Sequence, residues 1–146
     1  AYARAHATGR PTSGPGGALA NGVVCAIPSI DPTAARDLTR AQLTTGLVNI
    51  AKKDFRPIDV ANTFHVGQTV YFAFTVASND SAMLTANWCW GAAGNTSMFP
   101  LSVSHSLGKE GYFDLRNLDQ AAIGNGVLVV RWNDAVAYVG PFIVVK

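Results

Sequence analysis

The chain reads as an all-β protein: an antiparallel sandwich of about seven strands, with an N-terminal extended arm and one short helix. Three observations predict this. Short apolar or alternating runs recur through residues 47–146, separated by clusters of Gly, Asn, Asp and Ser, the pattern of a two-sheet β fold. The runs Val127-Leu128-Val129-Val130 and Phe142-Ile143-Val144-Val145 are apolar at every position. Successive strand side chains point to opposite faces, so something must cover both sides of these strands. Finally, only 14% of the 146 residues are charged, against roughly 25% in an ordinary soluble domain. Such a surface suits assembly better than catalysis.

Three zones follow along the chain. Residues 1–22 form an arm rich in Gly, Pro, Ala, Thr and Ser, without periodicity and unable to bury a core alone. Residues 23–46 begin with a short strand candidate, Val23-Val24-Cys25-Ala26-Ile27. Asp31-Pro32 then supplies an N-cap and a proline at the first helical position. Ala34, Ala35, Leu38 and Ala41 fall at helical spacing, with Gly46 beyond an end at Leu43 or Thr44. Residues 47–146 form the sandwich, with strands expected at 47–52, 69–77, 83–90, 98–105, 111–116, 126–133 and 135–145. A break in the last is expected at Gly140-Pro141, because proline cannot donate to a central ladder.

Alternation assigns the faces. Val70, Phe72, Phe74 and Val76 form the bulky row of one strand, and Leu84, Ala86, Trp88 and Trp90 that of the next. With Trp88 inward, Cys89 points outward. Cys25 and Cys89, 64 positions apart, have no metal-ligand spacing. As a disulfide they would pin the segment around Cys25 onto the outer sheet face. Val23, Val24, Ala26 and Ile27 would then be buried there, on their own sheet or on that of a neighbouring copy.

The sandwich zone resembles the immunoglobulin-like modules of secreted bacterial surface proteins. The resemblance rests on the run from Phe64 to Phe72, on Trp88, on Gly111-Tyr112-Phe113-Asp114-Leu115, and on the closing runs Gly126 to Asn133 and Phe142 to Val145. It covers about two thirds of the chain and implies a fold and an extracellular setting, not an activity. Cys25 precedes the whole sandwich, so the two cysteines do not match the pair bridged in antibody domains.

Other chemistry is weaker. His6, His65 and His105 stand apart, and His105 alternates with serines without a nucleophile-elbow motif. Glu110, Asp114 and Asp119 read as solvated charges, with nothing to set a glycosidase separation. Asn79 and Asn95 head glycosylation acceptor patterns. Trp90, Trp132 and Tyr138 could form a stacking platform for sugar rings, a rival reading as a carbohydrate- or surface-binding module. A viral coat protein is a third reading, but Arg4 and Arg10 are too few for strong phosphate binding.

The expectation is a secreted, non-enzymatic structural subunit without metal or cofactor, located outside the cell or at its surface. Its partners are copies of itself, joined through the N-terminal extension into a filament or surface layer. A glycan is a possible further ligand; nucleic acid and membrane insertion are not expected. Net charge of +2 with no basic stripe, and no membrane-length apolar run, fit those exclusions.

Overall fold

The computed structural model describes the strand pairing of residues 3–8 and the whole of residues 25–146. Strand β1 is Ala3–Thr8, and α1 is a single turn, Pro32–Ala35. β2 is Leu38–Thr44, β3 Leu47–Asn49, β4 Asp54–Pro57, β5 Thr63–His65, β6 Val70–Val76 and β7 Ala82–Trp90. β8 is Asn95–Val103, β9 Glu110–Arg116, β10 Gly124–Trp132 and β11 Ala135–Val145. Two sheets face each other: a four-stranded one ordered β1-β9-β6-β2 and a five-stranded one ordered β5-β11-β10-β7-β8. A ribbon, β3-β4, lies outside the first. The two-sheet order, with β6 and β9 facing β7, β10 and β11, is that of an immunoglobulin-like sandwich.

The inward rows fill the space between the sheets as alternation predicts. Val70, Phe72, Phe74 and Val76 meet Leu84, Ala86, Trp88 and Trp90 in one core, completed by Phe113, Leu115, Leu128 and Val130. Rings dominate it: Phe74 and Phe113 stack at 5.5 Å, and Trp88 meets Phe142 edge-on at 6.1 Å. Each buried ring removes a large apolar area from water, so this cluster supplies most of the driving force.

Several expectations change. The helix runs for one turn only, and the chain from Leu38 joins the sheet, pairing antiparallel with β6. Leu38 and Leu43 are both buried although an even strand would put them on opposite faces. A register shift between Thr39 and Gln42, with Arg40 at φ 52°, turns both inward. The sandwich therefore begins before Leu47. Residues 25–30 form no strand, and Val23 and Val24 lie outside the described residues. β11 runs unbroken through Pro141 because β5 covers only Ile143, Val144 and Val145. Among the described residues, no third strand stands beside Pro141 to miss its N–H. β5 and β1 both pair in parallel, so the sheets are mixed rather than wholly antiparallel.

Candidate functional site

Two features stand outside the core. The first is a strap across the outer face of the five-stranded sheet. Cys25 is bonded to Cys89 within the chain, with Cα atoms 5.7 Å apart. Six residues on, the Asp31 N–H donates to the Val136 carbonyl at 2.8 Å. Asp31 Oδ1 in turn accepts from Thr33 N at 2.9 Å, starting α1. Beneath the strap, Val127 and Val129 lie in the outer row beside Cys89 and Asn87, yet are only 2% and 5% exposed. The second apolar face seen in the β10 sequence is thus covered from within the chain.

Grooves flank the strap. One, of about 790 Å³, is lined by Ile27, Gly126, Val127, Pro141 and Ile143 among others, with no charged residue among those described. The other, of about 580 Å³, contains Met98, Val129 and Arg131, whose Nη1 donates to Asn87 Oδ1 at 2.8 Å.

The second feature is the β9 edge of the four-stranded sheet. β1 pairs with it in parallel over six residues, Ala3 at Gly111 through Thr8 at Arg116, and also runs against β8 of the opposite sheet. The outer row of β9 lies under the β3-β4 ribbon, with Phe55 edge-on to Tyr112 at 4.8 Å. Asp114 in that row is 0% exposed, and its Oδ2 accepts from Arg116 Nε at 2.9 Å. This bond holds the Arg116 guanidinium more firmly protonated. Burial, and then the charge of Asp114, raise the Tyr71 hydroxyl above its ordinary range.

The sequence-derived residues separate accordingly. The disulfide is present, and Cys89 faces outward as expected. Ala26 and Ile27 are not buried against the sheet: both are exposed, Ile27 at 66%. Trp90 and Trp132 are 0% and 7% exposed and belong to the core, and Tyr138 packs on Phe72 at 4.5 Å. These rings form no platform, because the sandwich consumes them. Asp114 is not a solvated charge, whereas Asp119 caps a short 3-10 turn through Ala121 N. Asn79 is exposed, but Asn95 is 9% exposed with its Nδ2 enclosed. Among the described residues, no group of three or more His, Cys, Asp or Glu is placed to hold a metal. No described helix is long and apolar enough to cross a membrane.

The sequence reading missed β1 altogether. Its signal is present as the alternation Ala3-Arg4-Ala5-His6-Ala7-Thr8, hidden by small side chains and by the Gly/Pro-rich stretch that follows.

No protein-family model matches the chain, and no curated protein matches it. Among solved structures, the alkylpurine DNA glycosylase AlkC of Pseudomonas fluorescens, bound to DNA containing an abasic site analogue, is similar at 10% identity and TM-score 0.49. That match covers 75% of this chain and 30% of the glycosylase, so the chain spans under a third of that protein's length. An immunoglobulin-like protein of Pseudomonas aeruginosa is similar at 10% identity and TM-score 0.46, over 70% of this chain and 91% of its own. Neither likeness carries a function to this chain; what the topology itself establishes is an immunoglobulin-like β-sandwich with a disulfide-anchored strap.

Proposed function

We propose that the chain is an extracellular structural subunit whose N-terminal strand closes the β9 edge of a neighbouring copy, joining copies head to tail into a filament or surface layer. The observation that carries this reading is the six-residue parallel pairing of β1 on the β9 edge. Strand addition supplies backbone hydrogen bonds along an open edge. The same pairing can form within one copy or between two, and a head-to-tail contact that does not close propagates.

The connection between Thr8 and Cys25 supports exchange. Residues 9–24 include Gly-Pro-Gly-Gly at positions 14–17 and carry one charge, Arg10. A tether of that length reaches at most about 55 Å when extended, far enough for an adjacent sandwich. The disulfide anchors Cys25 to β7, and a disulfide fits an oxidising compartment such as the cell exterior. No catalytic role is assigned, and the burial of Trp90 and Trp132 removes the observation that favoured a sugar-binding module.

The test is negative-stain electron microscopy with light scattering on the full chain and on Ala5→Pro. Proline at position 5 fixes φ near −65°, away from the roughly −120° of a parallel strand, and so weakens β1 while leaving the other strands in place. The expected result is polymers from the parent chain and single particles from Ala5→Pro. Single particles from both, or equal polymers from both, would reject the reading.

A further inference from the structure

The β9 edge has a chemical preference built into one register position. Asp114 is a fully buried carboxylate, and such a group persists only where cations or hydrogen-bond donors face it. Its own strand offers Arg116, whose side chain remains 40% exposed, while Glu110 stands farther along the same row. On β6 its register partner is Tyr71. The covering β4 carries Asp54 and Arg56, which satisfy each other at 2.6 Å. On its other flank β9 pairs with β1, where His6 stands at the register position of Asp114 and Arg4 at that of Tyr112. Ala3, Ala5 and Ala7 fall at the register positions of Gly111, Phe113 and Leu115, three buried residues of β9.

We infer that the β9 edge is a receptor for an extended segment that alternates a small apolar residue with a basic one, and that Asp114 sets the register and partner class of that segment. This rests on the reading of β1 as the docking strand and names the one segment that the edge accepts, residues 3–8. A one-residue slip would bring Arg4 and His6 to the register positions of Phe113 and Leu115. An acidic residue at position 6 would bring like charge to the register position of a buried carboxylate. An apolar strand of the same length would gain the backbone ladder without the charge complement.

Amide hydrogen exchange, followed by mass spectrometry on the full chain, tests this. Four variants are compared with the parent: Arg4→Glu/His6→Glu, Arg4→Lys/His6→Lys, Asp114→Asn, and Asp114→Asn combined with the Glu pair. In the parent and the Lys pair, residues 3–8 and 111–116 should exchange slowly. In the Glu pair both segments should exchange at least tenfold faster, with residues 126–132 unchanged as the folding control. In the Asp114→Asn background the Glu pair should cost clearly less, since the two sites are coupled. Should the Glu pair disturb the control segment, Arg4→Gln/His6→Gln supplies the same comparison. Parent-like exchange in the Glu or Gln pair, or strictly additive effects with Asp114→Asn, would overturn the inference. A protein that stays monomeric yet shows the charge-dependent protection would remove the assembly reading and leave this one standing.

Discussion

Gly126 and Asp114 show how single positions acquire meaning only in the folded chain. A Cβ on Gly126 would strike the Phe142 ring, so the absence of a side chain on β10 is what lets that ring cross to Trp88. Gly126→Ala should destabilise by about 1–3 kcal/mol, the usual cost of overpacking, seen as a lower denaturant midpoint at unchanged slope. Asp114 looks in sequence like any polar residue in the outward row of an alternating strand. It is buried because the β3-β4 ribbon, with Phe55, roofs that row. Arg116→Ala should therefore cost about 1–3 kcal/mol, as expected when a buried charged acceptor loses its partner, whereas Arg116→Lys should cost less. A thermal or denaturant melt of the two variants distinguishes these outcomes. The inward positions were the legible ones: Trp88, Phe72 and Phe74 were assigned to the core by period alone. The aromatic platform failed for the same physical reason, since in a small sandwich large rings fill the interior first.

The segments between Cys25 and Thr44 are where local signals and long-range pairing conflict. Asp31-Pro32 does start a helix, but the turn ends at Ala35, because pairing with β6 offers Leu38 and Leu43 a core that a solvated helix lacks. The strap is held by covalent and terminal bonds rather than by apolar burial, as the exposure of Ile27 shows. Cys25→Ser/Cys89→Ser should lower stability by about 4 kcal/mol, the loop-entropy value for a 64-residue separation. It should also increase binding of an apolar dye as Val127 and Val129 are uncovered. The loop after β4 is tied differently. Asp59 accepts from Thr44 Oγ1 at 2.6 Å and Thr45 N at 2.9 Å, and these bonds hold its carboxyl below the ordinary range. Its folded pKa lies beneath the unfolded value of about 3.9, so its contribution is present above that pH and lost as the pH falls through the folded value. In an acid titration followed by NMR, the Thr45 amide should shift as this loop releases, and Asp59→Asn should abolish that transition.

At the scale of the molecule, the proposed assembly turns on which copy's β1 occupies each β9 edge. Pairing within one copy benefits from a short tether and a high effective concentration, so polymerisation should rise with protein concentration and fall when free residues 1–8 peptide is added in excess. Light scattering across a dilution series, with and without that peptide, checks this directly. The sequence alone was sufficient for the sandwich, its inward rows, the outward Cys89 and the existence of a cover over β10, because strand period and turn chemistry act over a few residues. Position in space settled the rest: that Leu38–Thr44 is a strand, that the strap comes from the same chain, that Asp114 is buried and that Ala3–Thr8 completes a sheet. Each depends on a partner far along the chain, which no local pattern of propensity, charge or spacing can specify.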